Sequence, residues 1–282
     1  MSTLSLSSLT VLPCSPLEQI DAAHAAGFDA VGLRIQPALP TDIDVMADAS
    51  LRRAIERRIA STGLRVLDID VVRLGPRTDV RHIEPLLGYA GSLGAENLVF
   101  TSLPTDQYHA SKERECALKI AELCEVGLRH GVRPIVEFIP FRGIASLPHA
   151  VRIARLVDHP NFAICVDTLH LCRSGGGPAE LANVDSRLIA SIQLCDAAQP
   201  APEDLPGESR HGRLYPGEGV LPLVEIIRAA PPDVPVSVEV PSMTMQTRSP
   251  FERAQKAAQC ARRVLAVARG GVVRAQTTEQ GP

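Results

Sequence analysis

Short apolar runs recur along the chain, and each is followed by a stretch in which apolar residues return every three or four positions. The strand-like runs fall at 4–12, 29–35, 65–74, 96–102, 133–140, 161–168, 188–196 and 234–242. Helical patterns lie at 15–28, 50–64, 82–95, 111–131, 146–158, 177–184, 221–230 and 249–270. Helical periodicity alternating with short, nearly continuous apolar runs predicts βαβ units around a parallel sheet whose strands are buried on both faces. Local punctuation agrees. Ser15, Pro16 and Glu18 read as a capping box with proline in the first turn, and Gly27 and Gly63 read as helix stops.

Eight units of roughly thirty residues predict an α/β fold of the (β/α)8 barrel type. It forms a single domain over 1–271, followed by a polar tail at 272–282. An open doubly wound sheet would bring a glycine-rich phosphate turn after its first strand, and neither GxGxxG nor GxxxxGK[ST] stands there. The segment 197–219, rich in Pro, Gly, Arg and His, reads as a long loop between the seventh strand and the next helix.

Composition narrows the function. The net charge is only −3, which argues against nucleic acid or an anionic membrane surface as partner. Aromatic residues make up 3%, without tryptophan, so stacking platforms for bases are not expected. The seven cysteines (Cys14, Cys116, Cys124, Cys165, Cys172, Cys195 and Cys260) include no CxxC pair and several lie in apolar runs. They read as reduced packing residues rather than a disulfide framework or a zinc knuckle. No window approaches the ~20 apolar residues of a membrane span, and the first residues lack a basic, apolar leader. A cytoplasmic protein is the expectation.

In a barrel of this kind the chemistry sits at the C-terminal ends of the strands. The polar residues falling there are Arg34 on the second strand, Asp68, Asp70 and Arg73 on the third, and Glu137 on the fifth. The sixth carries Asp167 with His170 just beyond, the seventh Gln193 and Asp196, and the eighth Glu239. Taken alone, Asp167 reads as the cap of a following helix. Glu137 and Glu239 are lone carboxylates in apolar runs, where a charge is costly unless paired or metal-bound. Glu137, Asp167, Gln193 and Glu239 could offer four oxygens from four adjacent strands to one divalent cation, a hard set suited to Mn²⁺, Mg²⁺ or Co²⁺. His170 reads either as a packing residue or as a substrate contact and proton shuttle. In the loop, Arg213, beside Arg210 and His211, is either solvated or grips a substrate oxygen. Glu218 could cap the helix that follows.

The ordered set IVEF, ICVDTLH, IQLCD, RLYPGEG and VSVEV resembles the xylose isomerase-like TIM barrel superfamily over nearly the whole chain. That group includes sugar phosphate isomerase/epimerases, ketose 3-epimerases, inosose dehydratases, 3-dehydroshikimate dehydratases and endonuclease IV. The resemblance implies a metal held by Glu137, Asp167, the strand-seven residue and Glu239, with Glu137 and Glu239 as the acid/base pair on opposite faces of the reacting carbon. Members usually have histidine on strand seven. Gln193 stands here, which moves the preference from zinc towards Mn²⁺. Endonuclease IV needs further histidine ligands that this chain lacks. The reaction implied is isomerisation or epimerisation of a sugar or polyol ketone through an enediolate. The alternative is dehydration of a keto-polyol or keto-acid such as inosose or 3-dehydroshikimate. His170, Arg213 and Arg34 are the expected substrate contacts, and the two arginines would favour an acidic substrate. Relatives often form dimers or tetramers, so a homo-oligomer is an expectation carried by resemblance.

Overall fold

The computed structural model describes residues 2–38, 42–108 and 110–270; the polar tail at 272–282 lies outside the described residues. Eight strands pair in parallel and in chain order: β1 (Leu4–Ser7), β2 (Ala30–Leu33), β3 (Arg65–Leu74), β4 (Asn97–Ser102), β5 (Arg133–Glu137), β6 (Ala163–Asp167), β7 (Ile189–Leu194) and β8 (Val236–Val238). β8 returns to β1 through Leu4↔Val236 and Leu6↔Val238, so the sheet closes into a barrel and leaves no edge.

The outer layer is α1 (Pro16–Ala25), α2 (Ala49–Thr62), α3 (Glu84–Ser92), α4 (Glu113–Arg129), α5 (Leu147–Val157), α6 (Thr168–Arg173), α7 (Pro178–Leu181), α8 (Leu205–His211), α9 (Leu223–Ala229) and α10 (Pro250–Ala268). The helix signals act as expected. Ser15 and Glu18 form a reciprocal capping box on α1, and Gly27 and Gly63 take the left-handed conformation that ends α1 and α2. Ser249 and Glu252 repeat the box on α10.

Two cores result from the pleat. Side chains pointing out of the barrel join the helices in one large core, while Val99, Ile135, Ala163 and Cys165 form a small separate cluster inside it. Because side chains alternate along a strand, the residue two past each inner apolar position also faces inward. Ile135 is followed by Glu137 and Cys165 by Asp167, and the interior therefore turns polar at one end. Ser5 and Ser7 on β1, Ser191 and Gln193 on β7, and Ser237 and Glu239 at β8 follow the same spacing and are all buried.

The long segment after β7 is not a plain loop. It contains α8, capped by Asp204, whose side chain accepts the Gly207 N–H. A second short helix, α6, starts directly at the end of β6, where Asp167 caps it as its position suggested. Both are a turn or two long, and segments that short carry too little periodicity to be read from sequence. The PGEG stretch is wrapped around Asp196. Asp196 Oδ1 accepts the N–H groups of Ala197 and Leu221 (both 2.9 Å), and Oδ2 accepts those of Gly217 and Gly219 (both 3.0 Å). Gly217 has φ +85°, and a Cβ on Gly219 would stand 2.3 Å from the Ala197 carbonyl oxygen, so the motif needs glycine at both positions. Glu218, between them, caps no helix; it points out and pairs with Lys256 at 2.8 Å.

Asp196→Ala would leave four N–H groups of this turn without their acceptor. We expect a loss of roughly 3–5 kcal/mol, read as a lower denaturant midpoint at unchanged slope.

Candidate active site

The inward end of β6 sets the geometry. Asp167 Oδ1 accepts the His170 backbone N–H (3.0 Å) and so caps α6, while Oδ2 accepts from Arg213 Nη1 (2.5 Å). The cap and the site are thus the same carboxylate. Arg213 is only 2% exposed. Its Nη2 lies 3.3 Å from Glu239 Oε2 and 3.5 Å from His170 Nε2, and its Nε donates to the Ser209 carbonyl (3.0 Å). Glu239 Oε1 accepts from Ser7 Oγ (2.9 Å) and Gln193 Nε2 (3.3 Å). That second bond orients the Gln193 amide and leaves its Oε1 buried without a partner.

His170 Nε2 lies 3.6 Å from Glu137 Oε1, and Phe141 meets the imidazole edge-on at 6.0 Å between ring centroids. One ligand atom each from Glu137, Asp167 and His170 fall within 4.8 Å of one another. Of the residues expected from sequence, Glu137, Asp167, His170, Gln193, Arg213 and Glu239 therefore converge on one point. Arg34 stands beside them, but its guanidinium is held by Asp70 (2.8 Å) and Asp42 (3.4 Å). Sequence reasoning passed over Ser7, which holds Glu239. The alternation of serines in LSLS puts Ser5 and Ser7 on the inner face, but Ser5 Oγ has no partner, so the pattern alone did not single out Ser7.

Burial governs the charges. It raises Glu137 well above the usual carboxylate range, helped by the neighbouring charges of Glu239 and Asp167. It raises Glu239 to about 7, partly offset by Arg213. It raises Asp68 well above normal, with Asp70 adding to the effect. Asp167 goes the other way: burial opposes ionisation, but Arg213, His170 and the capping N–H together hold its pKa below the ordinary value. His170 is lowered to about 4 by burial and is neutral near pH 7.

Five buried carboxylates (Asp68, Asp70, Glu137, Asp167 and Glu239) thus share this end of the barrel with two buried guanidiniums, Arg34 and Arg213. The surplus of acidic over basic groups and the unpartnered Gln193 Oε1 fit a hard divalent cation held by oxygen donors. Above these groups opens a cavity of about 260 Å³, lined by Glu137, His170, Arg213 and Glu239 at its buried end. Its size is just below the usual range for ligand pockets, roughly 300 to 1,000 Å³. A wider groove of about 1100 Å³ along the outer face of α10 lies on the opposite side of the helix layer and holds none of these groups.

The family model described as "Xylose isomerase-like TIM barrel" matches residues 20–264. The chain belongs to the xylose isomerase-like TIM barrel family. Among curated relatives it is similar to a 3-dehydroshikimate dehydratase of Bacillus anthracis, 24% identical over 129 residues; the match spans 43% of this chain and 46% of that enzyme. Among solved structures it resembles the IOLI protein with a bound zinc atom (TM-score 0.82, 20% identity, covering 94% of this chain and 99% of the other). It also resembles a D-allulose 3-epimerase from Methylomonas sp. in complex with D-allulose (TM-score 0.72, 13% identity, covering 93% and 96%). At such identities the structural likeness establishes the fold alone. Among the described residues no helix is long and apolar enough to cross a membrane.

The depressed pKa of His170 in this xylose isomerase-like barrel has a measurable consequence. Between pH 6.5 and about 4 the unfolded chain takes up a proton at this residue and the native chain does not, so stability falls as pH drops through that window. His170→Asn removes the term. With divalent ions chelated, its unfolding free energy should decline less than that of the parent between pH 7 and 4, by on the order of 3 kcal/mol. Parallel curves would mean that His170 is not held neutral.

Proposed function

We propose that this protein is a divalent-metal-dependent enzyme that moves a proton next to the carbonyl of a small polyhydroxylated ketone, as an isomerase or epimerase. The observation that carries the reading is the convergence of Glu137, Asp167 and His170 beside the unpartnered Gln193 oxygen and Glu239. Glu137, Asp167, Gln193 and Glu239 would hold the cation; Mn²⁺ is favoured because all four donors are oxygen, with Mg²⁺ or Co²⁺ as alternatives. When bound, such an ion supplies Lewis-acid polarisation of a substrate carbonyl.

The residues of the chain then divide the remaining work. Glu137 and Glu239 come from β5 and from the end of β8, and they are the candidates to remove and return the proton. Ser7 and the Gln193 amide fix the Glu239 carboxylate so that it does not rotate during the transfer. Neutral His170 offers a hydrogen bond to a substrate oxygen, and Phe141 shields it from water on one face. Arg213 balances Asp167 and Glu239, keeping both oriented.

A second reading is elimination of water from the same deprotonated intermediate. The similarity to a 3-dehydroshikimate dehydratase favours it, and His170 is the candidate to assist departure of the hydroxyl.

Incubation with ketohexoses, inosose and 3-dehydroshikimate in D₂O with Mn²⁺ tests the proposal. Deuterium should appear on the carbon beside the carbonyl of one of them, and a new conjugated absorption would assign elimination instead. Glu239→Gln should slow the exchange by roughly 10²–10⁴-fold. Failure of the parent protein to bind any divalent ion, together with an unaltered Glu239→Gln variant, would overturn the proposal.

A further inference from the structure

The outer half of the cavity carries a charge of the opposite sign to its floor. Arg73, Arg142 and Arg210 line it, with His211 beside them. They come from three separate elements: the end of β3, the turn after β5, and α8. A register shift in β3 between Ile69 and Val72 moves Arg73 onto the inward parity, which the unbroken strand would have denied it. None of the three has an ion-pair partner among the described residues, whereas Arg34, Arg173 and Arg213 in the surrounding wall are each paired with a carboxylate. Among the described residues Arg73 donates to the Ala38 carbonyl, at 3.3 Å. The Arg142 Nε is buried with no acceptor. The three are close enough to repel: burial first, then the charges of Arg73 and Arg210, lower the pKa of Arg142. Three like charges with no ion-pair partner, opposed at Arg142 only by Glu137 beyond ion-pair distance, fit an oxyanion that arrives from outside.

We propose that Arg73, Arg142 and Arg210 form an oxyanion subsite, so that the substrate is a small polyhydroxylated ketone bearing a carboxylate or phosphate at the end away from the reacting carbons. This rests on the proposed enzymatic reading for the placement of the ketone end at Glu137 and Glu239. The arrangement separates two jobs. Arg34 and Arg213 are spent on carboxylates of the protein itself, and the mouth arginines are left to select the substrate's charge. The small cavity restricts that substrate to monosaccharide size, with its two ends matched to the two ends of the pocket.

The test is calorimetric titration of the Mn²⁺-loaded protein with three ligands that differ at one carbon: D-fructose, D-fructuronate and D-fructose 6-phosphate. We expect at least one anion to bind 10-fold or more tightly than D-fructose, and whichever does so identifies carboxylate or phosphate as the group read. In the double variant Arg142→Gln/Arg210→Gln that preference should fall to within about 2-fold. Mn²⁺ affinity, titrated separately, should be unchanged in the variant. Equal binding of all three ligands, no detectable binding of either anion, or a preference that persists in the variant would overturn the subsite. Loss of Mn²⁺ binding in the parent protein would instead count against the enzymatic reading, and the anion preference can still be read on the metal-free protein.

Discussion

The buried guanidinium of Arg213 is the contact on which the polar end of the barrel rests. It spans Asp167 and Glu239, two carboxylates from strands separated by β7, and lies against His170. Without a cation there, two buried carboxylates would face each other in a medium that screens them poorly, and removing one partner of such a pair is far more costly than never having built it. Arg213 reaches this position because its own segment is pinned. Leu214 pairs with Asp196 and Gly212 with Ser242, and Asp196 gathers the turn that follows. A structural aspartate at the end of β7 thus fixes the buried Arg213 seventeen residues later.

Even with Arg213 in place, the interior carries more acid than base. Glu137 and Asp68 answer by rising far above their ordinary pKa values, and Glu239 by rising to about 7. A chain under selection for stability alone would put aliphatic residues at these positions. Retaining the acids means accepting an energetic cost at the strand ends, and it leaves Glu239 with a protonation close to balance near pH 7. The same tension explains Gln193. A neutral side chain on β7 adds an oxygen to the cluster without adding another acidic group, and its amide N–H also donates a hydrogen bond to Glu239.

The barrel was legible because its eight strands repeat one pattern, and the closure of β8 on β1 follows from that count. Glu137, Asp167 and Glu239 were legible for a different reason: each breaks an apolar run on both sides of which burial is certain. Other features left little local trace. α6 and α8 are too short to show periodicity, and only the capping Asp167 announces α6. The pairing of Arg34 with Asp70, and of Arg213 with Asp167, joins residues 36 and 46 positions apart, and nothing in either neighbourhood names the partner. Arg73 was placed at the end of the third strand, but its inward direction was not readable, because the shift in β3 reverses the alternation just before it.

The way the segment after β7 is fastened divides it into two kinds of chain. From Gly212 onward it is tied to β7, to the end of β8 and to the turn around Asp196, so it has little freedom to change. From Ala198 to His211 it is a surface excursion held chiefly by Arg173, which grips Glu208 and the Ala198 carbonyl. Lengthening such an excursion costs little, because closure entropy grows only slowly with loop length. The barrel therefore holds an exchangeable cassette that carries Arg210 at the pocket's rim, between anchors that keep Arg213 still. The excursion can change in length and composition while the carboxylates at the floor of the pocket stay where the strands hold them.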